Sequence, residues 1–235
     1  MEQNKTGKYL KYAIGEIILV VIGILLALQI NNWNQERINK IERNEMLSKL
    51  NAEFVVNKKV LQDFRNSEDR TINTQIILIN LVGASELELS KHDLDSLFFE
   101  SFPSNEIAFA SNAITNIIQS GGLNLFKDET ITTLLYQWNS LDEIMKTRLA
   151  KLDAWNNNQF LPFLLPHISF REMDNNANYR WAGQSKIKPN YYPLFQKIEL
   201  ENFLDNSLWL HQQIVIRLNE LEDLIDKIIT TTRQN

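Results

Sequence analysis

A run of 19 mostly apolar residues at positions 12–30, YAIGEIILVVIGILLALQI, constrains this chain more than any other feature. A membrane core about 30 Å thick is crossed by about 20 apolar helical residues, because each residue advances a helix by about 1.5 Å. The run therefore predicts one transmembrane helix over 12–30. It divides the chain into a short tail at 1–11, the span, and a soluble helical domain at 31–235.

Polar and aromatic residues mark where this helix meets the membrane surface. Gln29 lies near the far end of the run, where lipid headgroups begin, and Trp33 follows one turn later. Tyr12 stands at the opposite end. Tryptophan and tyrosine concentrate at membrane–water interfaces, where an apolar ring can carry a polar atom. We therefore interpret Tyr12, Gln29 and Trp33 as interfacial anchors.

One ionisable residue, Glu16, lies about one turn inside the run. A charge at mid-membrane costs about 2.5 to 3.5 kcal/mol on insertion scales, so such a residue is a functional candidate. In the interpretation that we favour, Glu16 anchors or packs the helix near the headgroups, with Lys8 or Lys11 as its partner. In the alternative, Glu16 carries the charge of an ion or proton pathway, as in the single-span arms of motor complexes.

Small residues on the span predict close contact with another helix. Gly23 and Ala27 form a small-xxx-small step, Gly15 adds a third small residue, and Glu16 shares a face with Gly23 at a spacing of seven. Such faces let helix backbones approach and exchange hydrogen bonds in lipid. Gly15, Glu16, Gly23 and Ala27 are therefore the candidate oligomer interface.

The charges flanking the run predict its orientation. The run is longer than the 7 to 15 apolar residues of a signal peptide, and the following INNWNQER contains no small-residue cleavage site, so an uncleaved signal-anchor is expected. Three lysines before the run face only Glu2, whereas the basic residues after it alternate with acidic ones. The positive-inside rule then favours a cytoplasmic N-terminus and a periplasmic domain on the inner membrane.

Two blocks of the sequence resemble a known family. YAIGEIILVVIGILLALQINNWNQER at 12–37 is similar to the N-terminal signature of a family of uncharacterised single-span membrane proteins from Bacteroidota, a domain of unknown function. NIIQSGGLNLFKDETI at 116–131 resembles that family's pattern of a helix, a glycine break and another helix. The resemblance implies a single-span envelope protein with a helical domain, and it brings no activity, cofactor or catalytic residue.

Composition narrows the class of partner. Four of the 24 basic and three of the 29 acidic residues lie in the first 37, so the remainder of the chain carries an excess of six acidic residues. That charge argues against a nucleic-acid surface. The chain has no cysteine, which excludes disulfides, thiolate metal sites and cysteine nucleophiles.

Apolar residues at spacings of three, four and seven predict an all-α domain. From Gln35 the pattern runs without Gly or Pro to Gly83, so we expect the transmembrane helix to continue as a long amphipathic helix. Packing against its own domain is favoured over a coiled-coil stalk, because asparagines interrupt the heptads. Its polar side, with Glu53 among its charges, is expected to be solvated. Further helices are predicted over 67–81, from 90 or 92 to 99, over 104–119, from 127 to 155 and over 204–232. Asp128 is the predicted cap of the helix from 127. Gly83 is expected to end the helix at 67–81, and the pair Gly121 and Gly122 the helix at 104–119.

An irregular region at about 156–194 interrupts the helical pattern with four prolines and several aromatic residues. Loops of this length often carry function or cover a core. A structural lid is the favoured interpretation. The alternative is a ligand or partner surface formed by Phe163, Phe170, Trp181 and Tyr192.

Catalytic and metal-binding patterns are not found in the sequence. The three histidines, His92, His167 and His211, occur singly, and His211 has the spacing of a core residue. Acidic pairs such as Asp93 and Asp95 are two apart, which places them on different faces of a helix. Glu172 and Asp174, near Arg171 and Arg180, form only a weak candidate polar site.

These observations predict a non-enzymatic, membrane-anchored envelope protein without a metal or cofactor. Its favoured role is that of an assembly, scaffold or accessory subunit acting through helix–helix association, as a homo-oligomer or within a larger membrane complex. Two alternatives remain open: an ion-coupled single-span subunit that uses Glu16, and a ligand-binding sensor that uses the aromatic region at 160–193.

Overall fold

The computed structural model describes residues 3–102, 106–126, 129–177 and 179–233. Over these residues the chain is helical and contains no strand, which confirms the all-α prediction. Nine α-helices follow one another in the described ranges: α1 Gln3–Asn80, α2 Glu86–Leu89, α3 Leu94–Glu100, α4 Asn112–Gln119, α5 Glu129–Trp155, α6 Leu161–Leu164, α7 Phe170–Met173, α8 Tyr192–Phe195 and α9 Ile198–Thr232. A 3₁₀ turn at Gly122–Leu125, a π-helix at Asn156–Phe160 and a second 3₁₀ turn at Asp174–Asn176 complete the order.

Helix α1 is unbroken over 78 residues, which confirms that the apolar segment continues into a long amphipathic helix. The prediction of a separate helix at 67–81 is wrong, because these residues are the last turns of α1. The apolar stripe gives way to polar side chains there, yet nothing in the backbone interrupts the helix. Gly83 follows the end of α1 with φ of +78°, a left-handed conformation that glycine adopts without steric cost.

The soluble part of α1 packs in a bundle with α5 and α9. Helix α9 runs antiparallel to α1: Asn51 donates to the carbonyl of Ile229 near one end, whereas Gln75 meets His211 near the other. Helix α5 contacts both, and its Trp138 ring lies edge-on to Phe54 at 4.8 Å. Leu50, Phe54, Leu61 and Phe64 are buried, which confirms packing of α1 against its own domain.

The buried apolar residues form two clusters along this bundle. The first cluster, nearer the apolar segment, joins α1 from Leu50 to Phe64 with α4, α5 and the C-terminal half of α9. The second cluster, farther from that segment, joins the end of α1 with α3, α6, α8 and the start of α9, around Phe98 and Phe160. Polar residues occupy the stretches of α1 and α9 between the two clusters.

Helix α4 begins at Asn112, so the predicted start at residue 104 is wrong. The chain before it is not helical, and α1 holds its backbone: Asn57 accepts from the amide of Ala110 at 2.8 Å and donates to its carbonyl at 2.9 Å. The Glu53 carboxylate accepts from the amide of Ala113 at 2.7 Å, which stabilises the positive end of the helix. Glu53, predicted to be solvated, is instead half-buried and caps α4.

Other predicted boundaries shift as well. Helix α3 starts after its N-cap Asp93, and α2 precedes it as an unpredicted turn. Helix α9 starts at Ile198, six residues before the predicted position, because Leu200 already belongs to the core. The predicted cap Asp128 lies outside the described residues.

The irregular region is shorter than predicted. The π-helix Asn156–Phe160 follows α5 directly and leads into α6, so non-helical chain starts after Leu164. The wide π turn precedes Pro162, whose ring and missing N–H are incompatible with regular α-helical hydrogen bonding.

Candidate functional site

One helix within the described residues, α1, is long and apolar enough to cross a membrane. None of the side chains in its most apolar stretch is buried by the rest of the protein. Burial of such a surface ordinarily drives folding, and an exposed apolar face of this size indicates a lipid or protein partner. The candidate site therefore begins with this segment.

The predicted oligomer face is open. Glu16 and Ala27 are exposed, and a Cβ atom added at Gly15 or Gly23 would meet nothing within 4 Å. Glu16 forms no ion pair with Lys11, and Lys8, its other predicted partner, lies outside the described side chains. The face is free to contact another helix without any rearrangement of the chain itself.

The predicted interfacial anchors lie at the two ends of the apolar segment. Tyr12 is 72% exposed and Trp33 is 67% exposed, and Gln29 is also exposed. The distance from Tyr12 to Trp33 is about 32 Å along a helix, at about 1.5 Å per residue. This matches the thickness of a bilayer core.

Within the described residues, the four predicted aromatic binding residues have different surroundings. Phe163 stacks on Phe203 at 4.6 Å and is partly buried against the second cluster. Phe170 lines a cavity of about 390 Å³, and Tyr192 lines another of about 350 Å³. Trp181 is 65% exposed.

A neighbouring aromatic residue links two of these four. Tyr179 lines the cavity of Phe170 and stacks on Trp181, with ring centroids 4.8 Å apart. The indole N–H of Trp181 donates to Asp174 at 2.9 Å. Tyr179 was not predicted as a site residue, although its spacing of two from Trp181 in a loop is compatible with stacked rings.

The weak candidate polar site is built differently from the prediction. Glu172 is buried, accepts from the amide of Ser185, and pairs with Lys188 at 2.7 Å rather than with Arg180. The hydrogen bond from Lys188, followed by the one from the Ser185 amide, holds the pKa of the Glu172 carboxyl below its usual value. The pair fastens the loop at 185–188 to α7, which is a structural role.

Asp93 and Asp95 perform separate tasks, as predicted. Asp93 caps α3 by accepting from the amide of Ser96. Asp95 accepts a hydrogen bond from the hydroxyl of Tyr191. Burial raises the pKa of Asp95, against the opposing effect of that hydrogen bond, and it raises the pKa of Tyr191 as well.

A polar layer, defined by Glu68, Gln75, Ser101, Ser207 and His211, lies between the two apolar clusters. All five residues are buried. His211 Nδ1 donates to Glu68 Oε1 at 2.6 Å, and His211 Nε2 lies 3.4 Å from the Gln75 amide nitrogen, which also donates to the carbonyl of Ser101 at 2.7 Å.

Within this layer His211 is a core histidine with hydrogen-bond partners, which confirms the prediction for it. Its partners were not predicted, although Glu68 and Gln75 stand seven apart on one face of α1, where apolar residues would be expected. Ser207 Oγ and Gln75 Oε1 are buried and have no hydrogen-bond partner among the described residues. The complete burial of the layer separates it from any substrate in solvent.

No group of three or more histidine or acidic side chains that could hold a metal ion is found in the part of the chain that the structure describes. Comparison with family models, with curated proteins and with solved structures finds no match to this chain.

Proposed function

We propose that this protein is a non-enzymatic, membrane-anchored envelope protein that acts as an assembly, scaffold or accessory subunit. The observation that carries the proposal is the continuity of α1, which joins an exposed apolar segment to the core of the domain without a break. A single helix couples the two parts rigidly, whereas a flexible linker would leave them independent.

The proposal assigns the apolar segment to the inner membrane, with the N-terminus in the cytoplasm and the domain in the periplasm. The partners are the lipid bilayer and either further copies of this chain or a larger membrane complex. Nucleic acid is not a proposed partner, because the chain beyond the segment carries excess negative charge. The resemblance to single-span Bacteroidota proteins agrees with this assignment.

Helix–helix association is proposed to use Gly15, Glu16, Gly23 and Ala27. In lipid there is no hydrophobic driving force between helices, so close backbone packing at small residues contributes much of the association. The open space around Gly23 makes this testable, since a larger side chain there leaves the isolated chain undisturbed.

The test is the native mass of the full-length tagged protein in a mild detergent, together with identification of every protein that co-purifies. The double variant Gly23→Leu/Ala27→Leu is expected to lose the oligomer or the co-purifying partner. The control variant Val21→Leu/Leu25→Phe adds volume on the opposite face of α1 and should keep the wild-type mass. Equal masses for all three proteins would refute association through this face.

Orientation can be tested because the chain has no cysteine. An Ile187→Cys variant places the only thiol at a residue that is 84% exposed in the domain, and Tyr9→Cys places it before the apolar segment at a residue that is 74% exposed. We expect a membrane-impermeant maleimide to label the first variant from the periplasm and the second only after the inner membrane is permeabilised. The reverse pattern would refute the proposed orientation.

A further inference from the structure

A groove of about 420 Å³ lies on α1 directly after the apolar segment. One wall is α1 itself, from Trp33 to Arg43, and the other is formed by Asn124 and Leu125 of the 3₁₀ turn Gly122–Leu125. The groove thus lies between the exit of the helix from the proposed membrane and the first part of the folded domain.

The turn Gly122–Leu125 packs on α1 just above this groove. A Cβ atom at Gly122 would lie 2.8 Å from the sulfur of Met46, at the flexible end of that side chain. The wall that carries Asn124 and Leu125 therefore lies against α1. The groove is a product of the tertiary structure, since one wall alone would be a plain helix surface.

Positive charge dominates the lining of the groove. Arg37, Lys40 and Arg43 contribute three positive charges against one negative charge from Glu36. None of the three basic side chains forms an ion pair with a described residue, whereas Lys49, farther along α1, is neutralised by Glu45 at 2.7 Å.

The basic side chains share one side of the helix. Arg37 and Lys40 follow Trp33 at four and seven positions, which places the three side chains on one face of α1. Glu42, nine positions after Trp33, points to the opposite side of the helix. The groove is thus a locally cationic surface on a chain whose net charge is −5.

The start of the groove, at Trp33, lies at the height of lipid headgroups, whereas the backbones of Arg37 and Lys40 are about 10.5 and 15 Å beyond Ile30. Trp33 is three residues, about 4.5 Å, beyond Ile30, and the headgroup layer on each side of a bilayer is about 5 to 7 Å thick. Long side chains on a helix lean toward its N-terminus. Arg37 does so, because its guanidinium donates to the Asn34 side chain at 3.3 Å, and this brings its charge down to the level next to Trp33.

We propose that this groove binds the phosphate of an anionic phospholipid headgroup, with Arg37 and Lys40 contacting the phosphate oxygens and Trp33 lying beside the glycerol region. Guanidinium and ammonium groups are well suited to phosphate, because they form charge-assisted hydrogen bonds with its oxygens. The inference rests on the proposed membrane span, since only insertion of the segment brings headgroups to this height.

The experiment measures lipid contact at Trp33 in the full-length protein reconstituted into vesicles. Brominated phosphatidylglycerol and brominated phosphatidylcholine are each titrated into unbrominated phosphatidylcholine, and the quenching of tryptophan fluorescence gives the relative affinity of the two lipids. Trp33→Phe identifies the part of the quenching that comes from Trp33. Arg37→Gln/Lys40→Gln removes the two proposed ligands, and Lys151→Gln/Lys227→Gln removes two exposed charges elsewhere.

We expect wild type and the control variant to bind phosphatidylglycerol more tightly than phosphatidylcholine. In Arg37→Gln/Lys40→Gln the ratio of the two affinities should fall by roughly tenfold. A preference that is absent in wild type, or unchanged in the Arg37 and Lys40 variant, would overturn the inference. Displacement of the lipid by excess inorganic phosphate would instead assign the groove to a free anion. If neither brominated lipid quenches Trp33, the segment does not span the bilayer, and the proposed function fails together with this inference.

Discussion

Removal of one partner from the Glu68–His211 pair should destabilise the domain far more than removal of both. The two side chains are 2.6 Å apart and at most 1% exposed, in the polar layer between the apolar clusters. The perturbation is a cycle of three variants: Glu68→Leu, His211→Leu, and the two together. Leucine fills a comparable volume in each case and brings no polar atom.

The expected magnitudes follow from what each variant leaves behind. His211→Leu strands a buried carboxylate, which costs about 3 to 5 kcal/mol. Glu68→Leu strands the ring N–H of a buried imidazole, which costs about 1 to 3 kcal/mol. The double variant leaves an apolar layer and should cost about 1 kcal/mol or less, because replacing a buried pair with apolar side chains is often neutral. The coupling free energy between the two sites is then about 3 kcal/mol or more.

The assay is urea unfolding of the full-length protein in a mild detergent, followed by tryptophan fluorescence, to which the buried Trp138 contributes. With an m-value of about 2 kcal/mol/M, the midpoint for His211→Leu should fall by roughly 1.5 to 2.5 M. Glu45→Gln, which breaks the exposed Glu45–Lys49 pair on the same helix, serves as a control and should leave the midpoint almost unchanged. Additive effects in the double variant would refute the coupling between Glu68 and His211.

Three further predictions concern separate parts of the chain. The partners of Glu172 lower the pKa of its carboxyl. The stability that Glu172 contributes is therefore present above pH 4.5 and is lost as the pH falls through the lower pKa of the folded state. The unfolding midpoint should depend less on acid pH in Glu172→Gln than in wild type, and identical titration curves would contradict this. Gly83→Ala should lower the free energy of unfolding by about 1 to 2 kcal/mol through the positive φ alone, because no atom lies within 4 Å of the added Cβ. Gly83→Asn should lower it by less, and thermal unfolding of both variants measures the difference. Glu16→Gln is expected to leave intact both the assembly of the protein and the phenotype of cells that carry the variant. Loss of function in those cells with intact assembly would instead favour the ion-coupled alternative.

The long helix shows which features a local sequence pattern can predict and which it cannot. Glycine and proline are absent between Gln35 and Gly83, and this predicted correctly that the apolar segment continues into the domain. The prediction of a separate helix at 67–81 was wrong, because α1 continues through these residues. Glu68, within them, meets His211 of α9, and no local pattern identifies a partner 143 positions away.

The start of α4 and the aromatic region were misjudged for the same reason. Residues 106–111 contain apolar side chains at helical spacing, yet they are not helical, and Asn57 of α1 binds both the amide and the carbonyl of Ala110. In the aromatic region, the sequence grouped Phe163 with Trp181 because both lie in the proline- and aromatic-rich stretch 160–193. The structure packs Phe163 on Phe203 and leaves Trp181 exposed, because the neighbours of each ring come from different elements.

The sequence by itself determined the class of the fold, the apolar segment and the position of Gly83, because hydropathy, helical periodicity and glycine stereochemistry act over a few neighbouring residues. Only the tertiary structure decided which polar groups are buried together, where Glu53 caps a helix, and that Arg37 and Lys40 line a groove closed by the turn at Gly122. These features depend on contacts between segments far apart in the chain. The free energy of such contacts comes from desolvation and hydrogen bonding, and both occur only when the helices pack together.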